Sequence, residues 1–141
     1  MVAIAVQPFV LKDATFKVAA DNYEKALSSV AFAPSAETST VKWKSITPAS
    51  SFSETTALPA SWVCTLSYAQ DWKTTNSLSR YLHEHEGESV TVVFVPKAGT
   101  GEASFTADLT VVPGSIGGDV DTVMVSSVSM PSSKPVEGTT P

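Results

Sequence analysis

Alternation of apolar and polar residues with a period of two runs through most of the chain. Between residues 103 and 112, Ala103, Phe105, Ala107, Leu109 and Val111 fall on one face, and Ser104, Thr106, Asp108 and Thr110 on the other. Successive side chains of a strand point to opposite sides, so this pattern predicts a half-buried strand with a dry face and a wet one. Trp62, Cys64, Leu66 and Tyr68 alternate with Val63, Thr65 and Ser67 in the same way. Residues 90–95 are apolar on both faces and predict a strand covered on both sides. Further strand signals lie at 14–18, 41–44 and 122–130, with a weaker one at 26–33. Residues 96–101 carry a proline and two glycines between strongly alternating runs and predict a hairpin loop. Residues 113–118 end the next strand with residues that tolerate positive φ. About seven or more short strands punctuated in this way predict a mainly β fold, a β-sandwich or open barrel.

One segment changes period. Leu78, Tyr81, Leu82 and His85 recur at i, i+3, i+4 and i+7, a single apolar stripe on a short flanking helix over about 76–86. Thr75 or Asn76 is the expected N-cap, and Gly87 stands where a left-handed C-cap belongs. So short a helix is marginal alone, which predicts docking on the sheet through Leu78, Tyr81 and Leu82, with Trp62 and Trp72 as contacts. Two stretches fit no element. Residues 47–60 hold two prolines, a run of Ser and Thr and one charge, Glu54, and predict a long loop of functional use. Residues 131–141 hold three prolines and a glycine, and predict a flexible C-terminal tail beyond a single domain over 1–130.

Composition alters this picture in one respect. Charged residues make up only 16% of the chain, below the roughly 25% usual for soluble domains, and 20 Ser and 16 Thr take their place. A surface of this kind has little to repel a second copy and favours burial in an assembly. The net charge of −5 and the scattering of nine basic residues argue against tight binding of nucleic acid. An acidic protein past which DNA slides without sticking is still compatible. The apolar start of the chain is too short, and has no basic flank, for a signal peptide. No apolar run reaches the roughly 20 residues that span a bilayer.

Candidate chemistry is sparse. His83, Glu84, His85 and Glu86 form the densest polar cluster, but histidines at i and i+2 do not share a helix face, and the zincin spacing is missing. Gly114-Ser115-Ile116-Gly117 departs from the G-x-S-x-G elbow. Gly99-Thr100-Gly101 is too short to cradle a phosphate, and a hairpin turn explains it. Cys64 stands alone and reads as a small core residue. Trp43, Trp62, Trp72 and Tyr68 could stack on sugars, but at strand positions they read first as core. The expectation is therefore a non-enzymatic protein with no cofactor and no metal.

The run from Trp62 through Asp71-Trp72, then Asn76-Ser77-Leu78-Ser79-Arg80-Tyr81-Leu82 and Gly87-Glu88-Ser89-Val90-Thr91-Val92-Val93-Phe94, resembles the major tail (tail-tube) proteins of long-tailed, siphovirus-type bacteriophages, nearest those of actinobacterial phages. The resemblance spans about residues 6–130. It implies a β-sandwich with one flanking helix, assembled as homo-hexameric rings that stack into a tube in the host bacterial cytoplasm and end in the virion. The implied partners are further copies of the chain and the tape-measure, tail-terminator and tail-tip proteins, with DNA only in transit and no membrane. It also implies that the long loop, with Ser50, Ser51, Phe52, Ser53, Glu54, Thr55 and Thr56 as its candidate residues, contacts neighbouring subunits. Ser104, Thr106, Asp108 and Thr110 are the candidate lumen face, since hydroxyls and a carboxylate offer DNA phosphates no counter-charge. The alternative expectation is another virion or surface β-module, such as a tail terminator or a carbohydrate-binding adhesion domain.

Overall fold

In the computed structural model, which describes residues 2–141, eight strands and one helix follow the order β1 (Thr15–Val18), β2 (Asp21–Asn22), β3 (Leu27–Trp43), β4 (Phe52–Ala69), α1 (Leu78–Glu84), β5 (Ser89–Val95), β6 (Ala103–Thr110), β7 (Val125–Ser132) and β8 (Val136–Thr139). All pairings are antiparallel, in the order β2-β1-β5-β6-β7-β4-β3, with β8 also on β6. The fold is mainly β, as the alternation predicts.

The sheet bends at one corner. β7 pairs with β4 from Trp62↔Ser132 to Ala69↔Val125, and the chain then crosses to β6, meeting it at Leu109↔Ser132 and again as β8 from Thr106↔Val136 to Ala103↔Thr139. Strands that change partner at a bend are how two layers share one sheet. The two halves face each other across a single core. Phe16, Val18, Val92, Ala107, Leu109 and Val111 come from one half, and Cys64, Leu66, Tyr68, Val128 and Met130 from the other. These are the apolar positions of each alternating run, and Cys64, Leu66 and Val92 are wholly buried.

Helix α1 lies on this core through Leu78 and Leu82, both buried, and half-buried Tyr81, whose ring is 6.0 Å from that of Tyr23. Its N-cap is Ser77 rather than Thr75 or Asn76; the Ser77 hydroxyl accepts from the Arg80 N–H and donates to the Asp71 carbonyl at 2.5 Å. Hydrogen bonding to the Asp71 carboxylate, from the Thr74 side chain first and then from the Thr74 and Lys73 backbone N–H groups, holds its pKa below the ordinary value, and the backbone bonds fix the turn into the helix. The helix is capped at His85, whose N–H donates to the Tyr81 carbonyl, and not at Gly87, which lies two residues further on at φ +83° and donates to the Val111 carbonyl. Trp72 meets the helix, edge-on to His83 at 5.9 Å, whereas Trp62 lies elsewhere, beside Phe32, Phe94 and Phe105.

Three expectations are corrected. The long loop at 47–60 is only a short tip: a 3-10 turn at Pro48–Ser50, after which β4 begins at Phe52 and pairs with β3 without a break in the ladder until Glu37↔Leu58. The separate strand signals at 26–33 and 41–44 are one strand, β3, of 17 residues. The expected flexible tail at 131–141 instead holds the end of β7 and all of β8, and Thr140 ties it down by accepting the Glu102 N–H at 3.0 Å through its hydroxyl and the Gly101 N–H through its carbonyl. Neither proline prevents this: Pro131 pairs with Val63 one residue from the end of the β4–β7 ladder, and Pro135 lies between β7 and β8, where no ladder bond is lost.

Gly114 marks the tightest approach outside the strands, since a Cβ there would overlap the Tyr68 and Ser126 hydroxyls. Gly114→Ala is expected to cost about 1–3 kcal/mol of stability by overpacking, measured by urea denaturation. Adding Tyr68→Phe should recover part of the loss; equal stability of Gly114→Ala and wild type would show that this loop does not rest on Tyr68.

Candidate functional site

Beyond the bulge that separates Ser35↔Ser61 from Glu37↔Leu58, β3 and β4 leave the rest of the sheet as a two-stranded arm about 20 Å long. The bulge sets Pro59 and Ala60 of β4 against Ala36 alone, a position where a missing proline N–H costs no regular ladder bond. Every arm residue from Glu37 to Trp43 and from Phe52 to Ala60 is exposed. Cross-strand partners share a face, so the arm is amphipathic. One face presents Val41, Trp43, Phe52 and Leu58 together with Glu37, Ser39, Glu54 and Thr56; the other presents Thr38, Thr40, Lys42, Ser53, Thr55 and Ala57. The apolar members are 45–61% exposed, Trp43 most of all. Trp43 is thus corrected from core to surface.

The candidate loop residues all belong to this arm. Ser50 closes the 3-10 turn, Ser51 accepts the Ser45 N–H on its hydroxyl at 2.9 Å, and Phe52 stands opposite Trp43. Ser53 faces Lys42, Glu54 faces Val41, Thr55 shares a 3.0 Å hydroxyl contact with Thr40, and Thr56 faces Ser39. They form the tip and one side of a hairpin and not a loop.

The candidate polar face is also assembled. Thr106, Asp108 and Thr110 are exposed and Ser104 is half-buried, while Ala107 and Leu109 point into the core. The Asp108 carboxylate accepts from the Thr91 hydroxyl at 2.8 Å, and its backbone exchanges bonds with Ser133. The non-core side of β4 and β7 continues the same chemistry, with hydroxyl pairs Thr65–Ser129 at 3.2 Å and Ser67–Ser127 at 3.3 Å. The hydroxyls satisfy one another and leave few charges to bind a phosphate or repel a neighbour.

A third feature escaped the sequence reading: β3 pairs only with β4, so its other edge is open among the described residues. Edge status depends on which strands meet, and no local pattern encodes it.

The other polar clusters have local roles. His85 donates from Nδ1 to the Tyr81 carbonyl at 2.9 Å and stacks on that ring at 4.1 Å, while His83 sits against Trp72. Among the described residues no three His, Cys, Asp or Glu side chains converge to hold a metal, and no helix is long and apolar enough to cross a membrane. Burial pushes the Cys64 thiol up to about 12 from its usual 9.0, so it stays protonated, and the thiol is not the nucleophilic form.

A folded-state pKa above the unfolded one gives stability that is complete below pH 9 and is lost as pH rises toward 12. Tyr23 and Tyr81, also raised by burial, act in the same direction. Cys64 should therefore resist maleimide at pH 8 until the protein is unfolded, and Cys64→Ala should flatten part of the alkaline loss seen in denaturation midpoints. Rapid labelling of the folded protein would contradict this.

No protein-family model matches the sequence, and a search of curated proteins finds no significant match.

Proposed function

We propose that this chain is a structural subunit that assembles with copies of itself into stacked rings, the tail tube of a long-tailed bacteriophage, through which DNA passes without being held. The observation that carries the reading is the amphipathic arm, whose Trp43, Phe52, Val41 and Leu58 lie in solvent on the isolated chain. Such a face is costly to leave wet, and a clustered apolar surface of this kind marks an interaction site. The open β3 edge adds a second surface suited to a neighbour. The low charge and the hydroxyl-covered outer side are compatible with close contact between copies and with a bore lined by Ser104, Thr106, Asp108 and Thr110. The resemblance between residues 62 and 94 supplies the specific identity of the assembly. Tape-measure, terminator and tip proteins are the partners this identity brings.

A second reading keeps the same arm but gives it another use. Trp43 and Phe52, side by side at the tip with Lys42 and Lys44 near them, also suit a sugar-stacking platform in an adhesion module. Glycan-array binding lost in Trp43→Ala would favour it over the tube.

Negative-stain microscopy of the concentrated protein should show hollow rings or tubes. Closing the hairpin at the Glu37/Leu58 pair with a two-residue Asn-Gly turn should leave the thermal unfolding midpoint within a few degrees and abolish stacking. Tubes formed equally well without the arm would remove its role, and a monomer at every concentration, with or without the other tail proteins, would sink the proposal.

A further inference from the structure

The seam between the open edge of β3 and the β1 side of the sheet is incompletely filled. Two cavities lie along it, and both are bordered by Phe94. One, of about 120 Å³, is lined by Leu11, Thr15, Glu24 and the β3 residues Leu27, Ser29 and Val30. The other, of about 270 Å³, is apolar and lined by Phe32, Trp62, Phe94, Phe105 and Pro135. Phe32, Val30, Trp62, Phe94 and Phe105 are only half-buried, although each sits on the core side of its strand. The Phe32 and Phe94 rings, 6.3 Å apart, make a side-chain contact where a barrel would have a backbone ladder. One Glu24 carboxylate oxygen is buried beside the smaller cavity with no hydrogen-bond donor. A further strand laid against β3 would bring backbone N–H groups to this place and cover the aromatic rings.

The chain contains such a strand, unused. Residues 2–7 alternate Val2, Ile4 and Val6 with Ala3, Ala5 and Gln7, and belong to no element. Val2, Ile4 and Val6 are 87%, 90% and 83% exposed, against 50% for Phe9 and Leu11. The segment is therefore almost uncovered on its own chain. Its two faces match the two sides of β3. Large residues would meet Val30 and Phe32 above the cavity, and Ala3, Ala5 and Gln7 would meet Ser29, Ala31 and Ala33 on the outer side. Its six residues also fit the stretch of β3 between the bulge at Ser28 and Pro34, which has no N–H to offer.

We infer that residues 2–7 of one copy add as a strand to the open β3 edge, at about residues 28–33, of a second copy. The occupant is another copy because Val2, Ile4 and Val6 stay 83–90% exposed on their own chain while the β3 edge is open among the described residues. A donor strand of this type gives affinity through main-chain bonds and specificity through alternate side chains. Donor and acceptor are different surfaces, so the contact is head-to-tail and either closes a ring or continues without limit. The inference deepens the self-assembly reading by naming one contact that joins the copies.

Paired cysteines test it: Ala5→Cys combined in turn with Ser29→Cys, Ala31→Cys or Ala33→Cys, under mild oxidation. Cys64 is buried and does not interfere. At least one pair should give a ladder of covalent multimers on a non-reducing gel, while single variants stop at dimers. No ladder from any pair, or linkage only within a monomer, would overturn the inference. Deleting residues 2–7, or the milder Ile4→Asp, should leave the unfolding midpoint unchanged and lower association at least tenfold. Tubes assembled by the deletion variant would defeat the donor strand and leave the tail-tube reading standing. Cross-linked copies that never form tubes would do the reverse.

Discussion

An unclosed backbone ladder governs this molecule. On one side of the sheet the corner at Ser132 joins the two halves by continuous pairing, since the chain that leaves β4 as β7 meets β6 as β8. On the other side, among the described residues, β3 has no strand partner beyond β4, and the halves meet there through side chains such as the Phe32 and Phe94 rings. Apolar contact can hold that seam, but it leaves backbone donors and acceptors along β3 to water. Each of those groups gains little net energy from a protein partner, about 0.5–1.5 kcal/mol, yet a row of them is a template for another strand. The arm continues that strand, and the half-buried aromatics lie beside it.

How legible these parts were follows from where the solvent is. Residues 103–112 and 62–68 were read correctly because each has one face in the core, so burial writes the alternation into the sequence. The arm defeated the same reading. With both faces wet, residues 52–60 carry no strong apolar period, and Pro34 and Pro59 look like loop punctuation although an edge and a bulge tolerate them. The sequence pattern places Trp43 in the core because burial is the ordinary fate of tryptophan. That rule holds for a chain that is complete alone, and an exposed Trp is its informative exception. Residues 131–141 were misread for a related reason: a strand held at the edge of β6 can be short and polar, as Val136–Thr139 is. Ser77 was passed over as N-cap because Thr75 and Asn76 also qualify, and the choice rests on the distant Asp71 carbonyl.

The hydroxyl face and the apolar tip were legible as residues but not as a site. Ser104, Thr106, Asp108 and Thr110 could be placed on one side of one strand. Their continuation into Ser127 and Ser129 required knowing that β7 joins β4 to β6. Function located in edges and faces is non-local in the chain, whereas a catalytic motif is often local. A face assembled from several strands therefore leaves no local motif along the chain.

Edge strands in proteins that work alone are guarded by short length, by charge, by proline or by bulges. β3 has some of these guards, and their placement is informative. Pro34 and the two bulges, at Ser28 and opposite Ala36, divide the strand into segments, and Lys42 lies far out on the arm. Between the first bulge and Pro34, Ser29, Val30, Ala31, Phe32 and Ala33 have no charge and no break. A guard against unwanted pairing would be most effective there, since the strand is unbroken and uncharged at that point. Its omission beside a half-filled apolar seam is unexpected for a finished monomer and expected for a surface that receives a strand. The guards that exist set limits of about six residues on what can bind. The edge is thus restricted in length and left open in chemistry, which is the combination that self-assembly with a defined register requires.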